Sequence, residues 1–212
     1  MPCRTLAAAL SLSALAAIAV VTAVDVERAA RLAAEDGLVE WTQVALTTVA
    51  TSLAARAAWE QRRAARPAAL ETVTAALRAG IVIGEVDLDR RLLGVKVIAT
   101  RFFLNPLVAP GWRALAVLVV VGVPVALAAY ALWRRAEIVE ALCGLRHQPW
   151  GQVLVAGGAV FGLTEALERV LGRARFLPPN LAEESLELVA AICFVVALAA
   201  RPRLRACSRP RC

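Results

Sequence analysis

The chain has 212 residues, of which 60% are hydrophobic and 19% are charged, and its mean hydropathy is +0.66. This composition excludes an ordinary soluble domain and is typical of an integral membrane protein. The net charge of +7 would suggest nucleic acid as the partner of a soluble chain. Here the arginines lie in short segments between apolar runs, where they set membrane topology, so we expect no nucleic-acid partner. The single lysine, Lys96, and the abundant alanine point to a GC-rich bacterial genome.

Six apolar runs predict membrane-spanning helices, because a span needs about 20 mostly apolar residues. The fold predicted is therefore an all-α polytopic transmembrane bundle, formed as one domain over residues 1–200 and followed by a basic cytoplasmic tail, 201–212. The first run is alternatively a cleaved signal peptide with small residues at 21–23, which would leave five spans. The predicted spans are about 5–24, 37–58, 68–84, 112–133, 150–167 and 181–200.

The segments between these runs carry their own signals. Residues 86–111 are too charged to span, and we interpret them as an interfacial segment. Pro124, near the middle of the fourth run, predicts a kink. Two GxxxG patterns, at residues 80–84 and 158–162, would allow neighbouring helices to approach closely.

The distribution of arginines favours a cytoplasmic N-terminus only weakly, and with six spans both termini are then cytoplasmic. Most carboxylates fall on the opposite, outer side. The basic tail is suited to anionic lipid headgroups, or serves only to anchor the topology. The predicted localisation is the bacterial inner membrane.

Acidic residues at the outer ends of the helices form the candidate site. Some have an ordinary explanation: Asn180 and Glu183 fit a capping box, and Glu184 lies in the same first turn. Glu187, Glu40 and Arg78 lie deeper, where a lone charge costs free energy, so we expect Arg78 to pair with Glu40 or Glu187. The candidate ligand or ion-pair cluster is Glu40, Arg78, Glu85, Asp87, Glu184 and Glu187.

Three short motifs resemble a family of uncharacterised bacterial multi-pass inner-membrane proteins. They are EDGLVEW at 35–41, GEVDLDRRLLG at 84–94 with the later TRFFLNP, and EESLEL at 183–188. The resemblance implies acids at these same helix ends, which fits Glu40, Glu85, Asp87, Glu184 and Glu187. It implies no particular activity.

Motifs for catalysis are missing from the sequence. It contains no HExxH, no GxSxG and no Gly-rich phosphate loop, and its five cysteines and His147 lack metal-ligand spacing. We therefore predict no cofactor and assign no metal, although a carboxylate-only metal hydrolase stays an alternative. The sequence favours a non-enzymatic membrane protein whose acidic cluster is structural or binds a partner. The second hypothesis is a small transporter or cation- or proton-binding protein that uses Glu40, Glu187 and Arg78.

Overall fold

The computed structural model describes residues 3–25, 27–28, 32, 37–85, 108–171 and 179–201. Every regular element in these residues is helical, which confirms the all-α prediction for the described part of the chain. The bounds of the elements are α1 Cys3–Val24, α2 Leu38–Arg63, α3 Ala69–Glu85, α4 Pro110–Val117, a π-helical turn Leu118–Gly122, α5 Val123–Trp133, α6 Arg135–Leu145, α7 Pro149–Leu171 and α8 Pro179–Ala200.

The described helices follow the apolar runs with three differences. α7 continues beyond residue 167 to Leu171. α2 continues beyond residue 58 to Arg63, because Arg56 and Glu60 form an i,i+4 ion pair that supports its last turns. The segment after Trp133, between two predicted spans, forms the helix α6. Most of the predicted interfacial segment, residues 86–107, lies outside the described residues.

Helix α8 is the centre of the bundle. It packs along α7 and α2 and also against α1, while α2 and α3 form an antiparallel hairpin. Consecutive long helices alternate in direction, so their termini gather at two levels. We call these the Glu184 end, where α2 and α8 begin, and the Glu71 end, where α3 and α7 begin.

A tight turn at Ala65 joins α2 to α3. The amide of Ala65 donates to the carbonyl of Arg62, and the amide of Arg66 donates to the carbonyl of Gln61 over 3.0 Å. This is the hydrogen-bond pattern of a Schellman motif, in which the residue after the C-cap adopts a left-handed conformation. Ala65 occupies that position with φ 50°, where glycine is the usual residue. Pro67 follows and prevents α2 from continuing.

The predicted disturbance at Pro124 takes the form of a π-helical turn. Proline has no amide hydrogen and its ring collides with the carbonyl four residues earlier, so an α-helical ladder cannot pass through it unchanged. The turn Leu118–Gly122 widens the backbone just before the proline, and the amide of Val123 donates to the carbonyl of Leu118. Such turns are a recognised cause of helix bending.

The distribution of side chains is inverted relative to a soluble protein. The buried apolar residues are mostly alanines, such as Ala50, Ala54 and Ala197, each 0% exposed. Many large apolar side chains are exposed: Leu118 is 65% exposed and Val125 is 60% exposed. The buried polar and charged residues are Ser11, Gln43, Thr47, Gln61, Arg78, Thr164 and Ser185.

Two described helices are long and apolar enough to cross a membrane, α1 and the stretch Pro110–Trp133 that comprises α4, the π-helical turn and α5. Within the described residues, the other predicted spans do not meet this criterion of length and hydropathy. α3 has 17 residues, and α8 carries three carboxylates in its first turns. α2 and α7 contain several polar residues among their apolar ones.

Candidate functional site

Arg78 is the buried charge around which the candidate site is built. It lies on α3 and is 6% exposed, because α2 packs along that helix and Phe194 of α8 covers the guanidinium. Its guanidinium carbon lies 3.2 Å from the centre of the Phe194 ring on α8. A cation over an aromatic face is attracted by the ring quadrupole, and the attraction is strongest when both groups are away from water. Arg78 therefore links α3 to α8.

The contact with Phe194 leaves part of the guanidinium unsatisfied. Nε of Arg78 is buried and has no hydrogen-bond partner among the described residues. The Oε1 atom of Gln43 on α2 is in the same situation, while its Nε2 donates to the carbonyl of Glu184 over 2.6 Å. A buried donor or acceptor without a partner costs about 1–3 kcal/mol. The two residues that carry this unsatisfied donor and acceptor line a common space.

That space is a cavity of about 60 Å³ between α2, α3, α7 and α8, which we call the Arg78 cavity. Its volume suffices for a few water molecules or a small ion, and not for an organic substrate. Glu187 contributes a carboxylate to the wall. The complete lining is Gln43, Thr47, Arg78, Ile81, Phe161, Glu187, Ala190, Ala191 and Phe194.

The structure brings together only part of the predicted cluster. Arg78 and Glu187 line the Arg78 cavity, and the backbone carbonyl of Glu184 accepts a hydrogen bond from Gln43, which also lines it. Glu40 lies in the first turn of α2 and is not among the cavity's lining residues. The pairing of Arg78 with Glu40 or Glu187 stays a prediction.

Two members of the predicted cluster fall outside this description. Asp87 lies outside the described residues. Glu85 ends α3, but its side chain is likewise outside them. The predicted capping box also stays a prediction, because α8 begins at Pro179 and the Asn180 side chain lies outside the described residues.

The predicted role of the GxxxG glycines is wrong for the three that are described. A methyl group on Gly80, Gly158 or Gly162 would meet nothing within 4 Å, so these glycines permit no close approach. The close approach of α7 to α8 occurs at Gly157 instead. A Cβ atom there would lie 2.9 Å from Cβ of Cys193 and 3.3 Å from Cε1 of Phe194. The absence of a side chain at Gly157 therefore leaves room for the Phe194 ring, over which the guanidinium of Arg78 lies.

Metal-ligating side chains are dispersed in the part of the chain that the structure describes. No group of three or more His, Cys, Asp or Glu residues there is arranged to hold a metal ion. His147 lies at the corner between α6 and α7, where Nε of Arg146 donates to its Nε2 over 3.0 Å.

A second, larger cavity of about 410 Å³ lies at the Glu71 end and was not among the sequence-based predictions. We call it the Glu71 cavity. Nη2 of Arg201 lies 2.6 Å from Oε1 of Glu71, and Nε2 of Gln61 donates to the same oxygen over 2.8 Å. The sequence places four acids on this side, namely Glu60, Glu71, Glu137 and Glu140, but their spacing does not indicate a cavity. Three of those four line the cavity.

Comparison with known proteins gives no relative. No protein-family model, no curated protein and no solved structure matches the chain. The function is therefore argued from the two cavities and from the surface of the bundle.

Proposed function

We propose that the chain is a non-enzymatic, multi-pass protein of the bacterial inner membrane, with six spans and both termini in the cytoplasm. The single observation that carries this proposal is the inverted distribution of side chains. Alanines are the commonest buried apolar residues and lie beside buried polar groups, while many leucines and valines are exposed. Membrane helices associate in this way, through small residues and buried polar groups, because lipid tails remove the need to bury large apolar side chains.

The tryptophans support the same placement. Trp41 and Trp112 lie near the Glu184 end, and Trp59, Trp133 and Trp150 lie near the Glu71 end. Tryptophan is enriched at both membrane interfaces, and helices of 22 residues such as α1 and α8 extend about 33 Å, close to the thickness of the hydrocarbon core. The family suggested by the acidic motifs fits the same proposal.

The N-terminal run is part of the bundle in this proposal rather than a cleaved signal peptide. Ala7 is 4% exposed and packs with Val153, Val196 and Ala197. Removal of α1 would expose this cluster. The basic tail that follows α8 then lies in the cytoplasm, where it meets anionic lipid headgroups.

Cysteine labelling tests the topology. In a cysteine-free background, Ala109→Cys places one thiol before α4 at the Glu184 end, and native Cys143 retained alone lies on α6 at the Glu71 end. A membrane-impermeant maleimide should label residue 109 in intact cells, and Cys143 only after permeabilisation. The reverse pattern would contradict the orientation. Labelling of both thiols from the same side would contradict a crossing by α4 and α5.

The Arg78 cluster has a structural role in this proposal, in which the guanidinium fastens α3 to α8 through Phe194. A second candidate function, the binding of a proton or a small cation, is favoured by the Arg78 cavity, since Glu187 shares it with Arg78 and Gln43. Ionisable residues inside a membrane bundle commonly mark such sites.

Thermal unfolding in detergent, across pH and with or without divalent cations, separates the two roles. If the cluster is structural, Arg78→Met should lower stability at every pH, Arg78→Lys should lower it less, and added cations should change nothing. If the cavity binds a cation or proton, wild type should gain stability on binding and Glu187→Gln should lose that gain. Arg56→Gln is the control, because Arg56 is exposed and forms an ion pair with its neighbour Glu60 on α2, away from the Arg78 cavity.

A further inference from the structure

The Glu71 cavity gathers charges of both signs from different elements. Arg66 comes from the turn between α2 and α3, Arg201 from the end of α8, and Glu137 and Glu140 from one face of α6. Residues three apart on a helix are neighbours, so these two carboxylates lie on the same side of α6. The cavity has the size of a site for a small organic ligand.

Not all of these charges are neutralised within the protein. Glu71 is held between Arg201 and Gln61, and Arg201 also lies over Trp150, with its guanidinium carbon 5.4 Å from the ring centre. Arg134 binds Oε1 of Glu137 at 2.8 Å, but Oε2 of Glu137 is buried and has no hydrogen-bond partner in the described ranges. Glu140 is exposed one turn further along α6.

The cavity therefore offers acceptors for a cation on α6 and a donor for an anion at Arg66. A ligand that carries only a positive charge would gain nothing from Arg66, and a ligand that carries only a negative charge would be repelled by the carboxylates of α6. A zwitterion with a primary ammonium and a phosphate uses both, because an ammonium donates hydrogen bonds to carboxylates and guanidinium binds phosphate well. The aromatic wall at Trp150 is already covered by Arg201, so a quaternary ammonium has no ring to rest on.

We propose that the Glu71 cavity binds an aminoalkyl phosphate, with its ammonium at Glu137 and Glu140 and its phosphate at Arg66. The same chemistry is presented by a phosphatidylethanolamine headgroup and by free phosphoethanolamine. The lipid source rests on the proposed membrane placement, in which the Glu71 end faces the cytoplasmic interface. Binding of free phosphoethanolamine does not depend on that placement.

Native mass spectrometry of the purified full chain tests the lipid. The protein in detergent is mixed with phosphatidylethanolamine, phosphatidylcholine or phosphatidylglycerol of matched acyl chains, and bound lipid is counted. Wild type should retain the ethanolamine lipid preferentially. Glu140→Gln and Arg66→Gln should each weaken that binding about tenfold, the size expected for loss of one charged hydrogen bond.

Two matched controls exist on α2. Glu60→Gln and Arg56→Gln remove the same charges from the same end of the bundle, from an exposed ion pair outside the cavity. They should leave lipid binding unchanged. A parallel thermal-shift titration with free phosphoethanolamine identifies the source: stabilisation of wild type that Glu140→Gln loses, without a lipid preference, assigns the free compound.

Three results would overturn the proposal. They are equal retention of all three lipids without a response to free phosphoethanolamine, unchanged binding in both cavity variants, and equal weakening in the two control variants. Cysteine labelling that contradicts the topology would remove the lipid source only, so failure of the membrane proposal and failure of this site can be told apart.

Discussion

Gly157→Ala should destabilise the bundle, while Gly158→Ala, one residue along, should not. The new methyl at 157 would lie 2.9 Å from Cβ of Cys193, closer than real Cβ atoms approach, and 3.4 Å from the carbonyl oxygen of Ala190. α7 and α8 must then separate, or the Phe194 ring must move. Overpacking of this kind costs about 1–3 kcal/mol. The gain from replacing glycine by alanine in a helix, about 0.5–1 kcal/mol, offsets only part of that cost.

Gly158→Ala should bring only the gain in helix stability, because nothing lies within 4 Å of a methyl group there. The two variants should thus differ by about 1–3 kcal/mol in the free energy of unfolding. The assay is titration of each purified variant from mild detergent into SDS, followed by tryptophan fluorescence. A difference below about 0.5 kcal/mol, the scale of ordinary surface substitutions, would show that the α7–α8 packing described above is incorrect.

Two further substitutions test the turns by the same titration. Ala65→Gly should raise the unfolding free energy by about 0.5–1 kcal/mol, because it relieves the left-handed strain at φ 50°; a loss would place the turn in another conformation. Gly151→Ala should lower it by about 1–3 kcal/mol, because a Cβ atom would overlap the Leu145 carbonyl. Gly144→Ala, which meets nothing within 4 Å, is the matched control, and equal effects at the two positions would refute this account of the corner.

The positions of the long helices were predictable because the length of each apolar run can be read directly from the sequence. α1 and α8 lie close to the ranges expected for them, since a helix that satisfies all its own backbone hydrogen bonds needs little tertiary information. α6 was missed because residues 135–145 are charged at their start and too short to resemble a span. Its helix is completed by neighbours, as it packs on α3, α5 and α7.

The candidate site was less predictable, because contacts between helices depend on rotation as well as length. The depth of Arg78 and Glu187 follows from residue counting, and both line one cavity. Phe194, the ring that contacts Arg78, lies in an apolar run, and no sequence feature distinguishes it from the other apolar residues there. The choice of Gly157 over Gly158 is likewise a matter of which face meets α8.

The Glu71 cavity was out of reach of the sequence for a related reason. Its walls combine a turn at residues 66–67, the helix α6 and Arg201. Local spacing carries no information about such distant segments. Only the helix packing places them around one space.

The central position of α8 has a consequence for biosynthesis. It is the last of the described helices to leave the ribosome, yet it supplies the surfaces on which α1, α2 and α7 pack. In the proposed topology, Gln43 and Arg78 enter the bilayer before Glu184 and Phe194 have been synthesised. Insertion and assembly are then separate stages. A chain interrupted before residue 179 would lack the α8 partners of Gln43 and Arg78 and would leave these polar groups without them in the bilayer.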